Sequence, residues 1–535
     1  MFRFLRPAAA LRSSLGLFLA QIPALALGLI LALILAAGHP AQARKEKIPQ
    51  REQDSTAAWL RHGCPEAPGL GRAVDCGVLE VAEDRADPDS RKIYLHVRIL
   101  RAETDRGLDP VVFLSGGPGQ SMEFADGDGL EFWEYYIDWV MGWAGDRDVV
   151  LFAQRGITVD GVGMTCPEYG DPKVYLGATE RPGPPTDWLE NAAQANRTCL
   201  DRLARQGYDL AAYSTTESAR DVAALRRALG IERWILYGVS YGTRLGLEVM
   251  RQDPRGVTAS VFDSVFPPSV NRHWSDPQPF VDALDAFFAA CAADADCART
   301  YPRLEAEFDA SIARLRADPV AVYADDPEGR SPRLHFELDD VTLIDIAFYS
   351  LYWIDGIQTL PYGLDALARG DMDLFREILL EPYVYDSLFS DWSYGMQAAV
   401  NCNDDFVWYD ETVLRAAIDK HPRLASWLGT ALMLPACNGW PSRPRSSGFA
   451  EPVVSAIPTL MLVGAHDPVT PPAYARQALE TLENGQLHIV PGASHSVMDA
   501  AFCARTLTRA FVEKPFDELP TLCSLRDPGF DFRLR

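Results

Sequence analysis

Positive charge is scarce in this chain. Its 535 residues carry 50 Lys and Arg against 74 Asp and Glu, a formal net charge of −24. That balance offers no basic footprint and excludes the phosphate contacts on which nucleic-acid binding rests. Metal-ligand spacing is missing as well. There is no Cys-x-x-Cys pair and no His-Glu-x-x-His, so the zinc readings fall away, and neither a metal nor an organic cofactor is expected. No internal repeat occurs, and no low-complexity tract beyond the first forty or so residues. What remains is globular: 48% hydrophobic and 10% aromatic residues can fill a core, unlike a disordered chain. The length exceeds the roughly 250–300 residues at which one core stops growing, so one large unit with a second inserted or appended is expected.

The first residues read as a targeting signal. Arg3, Arg6 and Arg12 precede an apolar run from Leu15 to Ala37, interrupted mainly by Gln21 and Pro23. Ala41-Gln42-Ala43 then supplies small residues for cleavage, which assigns 1–43 to a signal peptide and the rest to the periplasm or outside. A cleaved chain would keep no stable membrane partner. The alternative is an uncleaved N-terminal anchor, since the run is long enough to span a bilayer. No Cys follows it directly, which argues against lipid attachment. All ten cysteines lie downstream, and an even count in an exported chain suggests disulfides. Joining neighbours in order would make five short loops; connectivity stays open.

Past a charged leader from Arg44 to Ser55, strands are expected at Gly77–Val81 and Lys92–Leu100. Short, wholly apolar runs at Val111–Leu114 and Asp148–Phe152 suit strands buried on both faces. A helix from Ser218 to Gly230, a strand Trp234–Tyr237, a helix Arg244–Asp253 and a strand Ala259–Phe262 then alternate. From about Ser269 to Glu451 the alternation stops. This stretch looks helical, as in Phe280–Ala292 and Leu304–Ala317. It is also rich in aromatics: Trp353, Tyr362, Tyr383, Trp392, Trp408 and Trp427. Alternation resumes with Thr459–Val463, a helix near Ala473–Leu482 and Leu487–Val490. The expectation is an α/β fold: a doubly wound, mainly parallel sheet with an inserted helical lid. Core segments 44–268 and 452–535 would flank a lid at 269–451.

Gly238-Val239-Ser240-Tyr241-Gly242 fits G-x-S-x-G between a strand and a helix. A sharp turn there would lift the Ser240 hydroxyl to the carboxyl end of the sheet. A serine hydroxyl needs an adjacent base to attack at neutral pH. Of nine histidines, His495 stands in the loop after the last strand, where the chain order Ser, Asp, His would put it. The acid that holds its tautomer is expected at Asp467, after Val463-Gly464; Asp263, at the end of the strand after the elbow, is the competitor. Acyl transfer also needs donors for a developing oxyanion. The N–H of Tyr241 is one. The other is expected from Gly117 in Ser115-Gly116-Gly117-Pro118-Gly119. The substrate so implied is a peptide or a small ester or amide.

Leu114 to Ser121, Asp148 to Gly156 with its Gln154-Arg155-Gly156, Tyr213 to Asp221, and the elbow Tyr237 to Thr243 together resemble the proline iminopeptidase and tripeptidyl aminopeptidase branch of the α/β-hydrolases. From Pro458 onward the chain is similar to the C-terminal segment of the tripeptidyl group. Ser115 stands where proline iminopeptidases have His, which favours the tripeptidyl type. Ala153 stands where Asp commonly precedes Gln-Arg-Gly. The resemblance implies a serine aminopeptidase that releases residues or short peptides from free N-termini. Such an enzyme needs a carboxylate for the substrate's ammonium group. Glu217 on the core and Asp404 and Asp405 in the lid are the candidates, each equally readable as a solvated acid. An esterase with the same triad, or a catalytically silent protein on the same fold, would be the rivals.

Overall fold

Eleven strands order the described residues: β1 (Ala58–His62), β2 (Val74–Ala82), β3 (Lys92–Leu100), β4 (Val111–Leu114), β5 (Val149–Phe152), β6 (Trp234–Val239), β7 (Val257–Asp263), β8 (Val320–Ala324), β9 (Leu334–Leu338), β10 (Thr459–Gly464) and β11 (Gly485–Val490). They belong to a computed structural model. It describes residues 57–64, 72–121, 142–159, 162–182, 187–271, 277–326, 329, 332–388, 392–405, 411–431, 437, 439–443, 448–523 and 529–535. The targeting segment 1–43, the leader 44–55 and Trp408 lie outside them.

Nine strands form one sheet in the order β1-β2-β3-β5-β4-β6-β7-β10-β11. The first pairings, β1 with β2, β2 with β3 and β3 with β5, are antiparallel. From β5 through β4, β6, β7 and β10 to β11 every pairing is parallel. Every residue of β4, β5 and β10 is buried, the signature of strands covered on both faces. Alternation decides which cover each residue meets. Val111, Phe113, Val149, Leu151, Ile235 and Tyr237 enter one hydrophobic cluster. Their neighbours Val112, Leu114, Val150, Phe152, Leu236 and Trp234 enter the cluster on the other side.

Helix Thr215–Ala228 starts where Ser214 Oγ accepts the Glu217 N–H, half of a capping box. It packs on helix Tyr241–Gln252, which follows β6 directly. No helix among the described residues is long and apolar enough to cross a membrane.

Between β7 and β10 lies the inserted region, built largely of helices on its own cluster, which includes Phe280, Leu284, Phe287, Phe308, Leu343 and Leu360. It departs from an all-helical block in one place: β8 and β9 pair as an antiparallel hairpin. Packing also crosses the 269–451 limits. Met396, Ala399, Val400, Cys402 and Trp440 join the cluster of the sheet, not that of the insert. Asn403 fixes that helix to the core by donating to the carbonyls of Leu210 and Tyr213. Conversely, Phe530 and Phe532 near the carboxyl end pack into the insert's cluster.

All ten cysteines are paired as neighbours in order: Cys64–Cys76, Cys166–Cys199, Cys291–Cys297, Cys402–Cys437 and Cys503–Cys523.

Candidate active site

Ser240 sits between β6 and helix Tyr241–Gln252 with φ 55° and ψ −122°. That backbone region costs a non-glycine residue on the order of 1–3 kcal/mol, so the surroundings must enforce it. They do so by close approach. A Cβ on Gly242 would fall 1.9 Å from the Leu114 carbonyl oxygen, and one on Gly238 2.5 Å from that of Gly242. Only glycines let the turn press against β4. The Ser240 N–H donates to the Asp263 carbonyl at 2.9 Å, tying the elbow to β7.

One connection further along the sheet, β10 and β11 deliver the other two expected residues. Asp467 follows β10 and His495 follows β11, and these strands are parallel neighbours. Their loops therefore emerge at the same sheet edge. His495 Nδ1 lies 2.8 Å from Asp467 Oδ2, with both side chains buried. Asp467 Oδ2 also accepts from Thr470 Oγ1 at 2.7 Å, and its Oδ1 accepts from the N–H groups of Val469 and Thr470. Burial alone would raise this carboxyl. The facing His495 charge and these hydrogen bonds outweigh it and hold the group below the usual carboxylate range. Thr470 Oγ1 is also 3.2 Å from His495 Nδ1, a contact the sequence reading missed. The signal for it was a hydroxyl three residues past the acid.

On its other side His495 Nε2 is buried and has no hydrogen-bond partner. The imidazole is thus held on its Nδ1 edge, and no hydrogen bond joins it to Ser240. Catalytic hydrogen bonds of this kind often tighten only with substrate present. Tyr352 from the insert covers the ring face at 4.4 Å between centroids. Ser494 Oγ, next in the chain, donates to the Leu351 carbonyl. The competitor Asp263 does not face Nδ1; its carboxylate accepts the N–H groups of Val497 and Met498.

The loop after β4 comes up beside the elbow. A Cβ on Gly116 would sit 3.4 Å from Ser240 Cβ. Gly117 has φ 110°, a conformation that glycine adopts without strain. The N–H groups of Gly117 and Tyr241 have no hydrogen-bond acceptor among the described residues. Gln154, missed as a site residue, braces this loop: its Nε2 donates to Ser115 O at 2.9 Å and Ser115 Oγ at 3.0 Å. Arg155 beside it is fully buried and forked onto Asp221 at 2.6 and 2.9 Å. From the insert, the Ser393 N–H donates to the Gly119 carbonyl, and Trp392 pairs with Gln120 in a β-bridge.

The three carboxylates expected to receive an ammonium group are engaged elsewhere. Glu217 is paired with Arg85 at 2.9 Å and with Arg220. Asp405 closes a buried ion pair with Arg244 at 2.8 Å. Asp404 Oδ2 accepts the Thr215 N–H at 3.0 Å, and burial pushes its carboxyl up to about 6. The structure therefore corrects the solvated-acid picture for all three. Apart from Arg220, three residues from Glu217, their partners come from far away in the chain, which is why the sequence left them looking free.

A family model described as alpha/beta hydrolase fold matches residues 109–298, and one described as TAP-like protein matches residues 427–520. Serine protease Hip1 from Mycobacterium tuberculosis is 27% identical over 448 residues, covering 79% of this chain and 82% of that protein. These matches support an α/β-hydrolase serine peptidase family for this chain. A tripeptidyl aminopeptidase from Streptomyces lividans is 29% identical over 231 residues, 42% of this chain and 39% of the relative. A probable proline iminopeptidase from Streptomyces coelicolor is 38% identical over 66 residues, 12% of this chain and 20% of that one.

Proposed function

We propose that the protein is an aminopeptidase with Ser240 as nucleophile, His495 as general base and Asp467 as the acid that fixes the imidazole. The observation that carries the reading is the buried 2.8 Å contact of His495 Nδ1 with Asp467 Oδ2, on loops adjoining the elbow. In the first half-reaction the Ser240 oxygen bonds to a substrate carbonyl carbon and its proton passes to His495 Nε2. The N–H groups of Gly117 and Tyr241 take the charge that forms on the carbonyl oxygen. His495 then returns the proton to the leaving amine as the C–N bond breaks. Water, deprotonated by the same imidazole, attacks the acyl carbon; the bond to the Ser240 oxygen breaks and that oxygen takes the proton back from His495. No metal or organic cofactor enters these steps.

Action on free N-termini follows the tripeptidyl aminopeptidase relative, and peptide substrates follow the serine protease one. The engaged state of Glu217, Asp404 and Asp405 favours a second reading, an esterase with the same three residues. One comparison separates them: digestion of a peptide library with free amino ends and of the same library acetylated. An aminopeptidase loses the acetylated library, and Ser240→Ala loses both. Equal cleavage of both libraries would reject the aminopeptidase reading. We further propose export with removal of 1–43, which five disulfides suit because they persist in oxidising compartments. We also propose the arrangement of core segments 44–268 and 452–535 around a lid at 269–451. N-terminal sequencing of the secreted protein tests the export reading: Met1 retained would contradict it.

A further inference from the structure

Three residues other than glycine have a left-handed backbone among the described residues: Ser240 at φ 55°, Ser264 at 60° and Ser496 at 59°. They come from three separate segments, yet one set of hydrogen bonds connects them, and Asp263 is at its centre. The Asp263 carbonyl accepts the Ser240 N–H at 2.9 Å. Its carboxylate accepts the Val497 N–H at 2.9 Å and the Met498 N–H at 2.8 Å, one on each oxygen. Ser264 Oγ accepts the Ser496 N–H at 3.0 Å, while the Ser264 N–H donates to Leu462 on β10 at 2.8 Å. Residues 496–498 follow directly on His495.

Among the described residues no Lys or Arg pairs with this carboxylate, although it is fully buried. Burial pushes it up to about 7, against the pull of the two N–H groups. A buried carboxylate without a counter-charge is costly, and an apolar residue would end β7 with less penalty. Its two carboxylate acceptors for backbone N–H groups are what an apolar residue could not supply. The hydrogen bonds of the His495 ring are all at Nδ1, so the placing of Nε2 depends also on where the backbone beyond it is held.

We infer that Asp263 is a positioning residue: with its carbonyl on Ser240 and its carboxylate on the turn after His495, it sets the spacing of hydroxyl and imidazole. This rests on the triad reading above. It gives the second acid at this sheet edge a role distinct from that of Asp467, which holds the ring rather than the backbone. A displacement of about 1 Å between reacting groups costs roughly a hundredfold in rate.

The test is inactivation of the full-length protein by a fluorophosphonate, with kinact and KI measured separately and thermal midpoints alongside. Asp263→Ala should lower kinact about a hundredfold with KI within about threefold. Asp263→Asn keeps the shape and one acceptor and should recover about tenfold of that loss. Ser264→Ala, which frees the Ser496 N–H and removes the Ser264 Oγ–H donated to Asp263 Oδ1 at 3.2 Å, should fall in between. A change in midpoint with kinact retained in Asp263→Ala and Asp263→Asn would mean a merely structural role and overturn the proposal. If Asp263→Ala does not fold, Asp263→Asn and Ser264→Ala decide by the same criterion. His495→Ala distinguishes the two readings. Retained labelling in that variant overturns the triad and this proposal together. Lost labelling there, with normal kinact in the Asp263 variants, overturns this proposal alone.

Discussion

Replacing Asp467 by Asn should all but stop turnover without unfolding the protein, and the geometry says why. Asp467 Oδ1 accepts the N–H groups of Val469 and Thr470 at 2.9 and 2.8 Å. These backbone donors cannot turn round. The Asn oxygen must therefore take the Oδ1 place, and its NH2 the Oδ2 place facing His495 Nδ1 and Thr470 Oγ1. A donor opposite Nδ1 forces that nitrogen to be the acceptor and moves the ring proton to Nε2. An Nε2 that carries a proton cannot take one from Ser240. The loss in a triad hydrolase is about 10⁴-fold in kcat, or about 5.5 kcal/mol of barrier at roughly 1.4 kcal/mol per factor of ten. The assay is turnover of an aminoacyl p-nitroanilide that the wild type cleaves, with thermal melting as control. Asp467→Asn that melts like the wild type and keeps kcat within tenfold would refute the argument.

Other expectations concern the frame around the site. Gly242→Ala puts a methyl 1.9 Å from the Leu114 oxygen, so the elbow must open; soluble protein with normal fluorophosphonate labelling would contradict this. Arg155→Met strips the main partner from the fully buried Asp221 and should cost about 3–5 kcal/mol in urea unfolding. A loss below 1 kcal/mol would show that Arg85, 2.5 Å from the same carboxylate, suffices. Asp404, raised to about 6 by burial, contributes stability that is full below its unfolded value near 4 and is lost as pH rises through about 6. Asp404→Asn should flatten the fall in stability between pH 4 and 8 by on the order of 3 kcal/mol relative to wild type. Parallel stability curves for the two proteins would reject that sign.

Much of the sheet was legible because its central strands are buried on both faces. Val111–Leu114 and Lys92–Leu100 were placed at their observed bounds, and β10 to within one residue. The edge strand β1 was not: Ala58–His62 is largely exposed and carries no apolar pattern. The hairpin β8–β9 hid among helical signals because two five-residue strands are shorter than a helix period can exclude. The elbow and the loops bearing Asp467 and His495 followed from chain order relative to the strands. The acids failed differently. Ionic partners such as Arg85 for Glu217 and Arg244 for Asp405 are 132 and 161 residues away, and no local spacing records them. Gln154 and Arg155 explain one resembling segment physically: the first braces the Ser115 loop and the second the Asp221 helix.

The most direct measurement is mass spectrometry of protein quenched in acid during turnover of a p-nitrophenyl ester. An acyl group should be found on the peptide containing Ser240, and nowhere in Ser240→Ala. Undiminished turnover with the acyl group on another residue, or on none, would contradict the account.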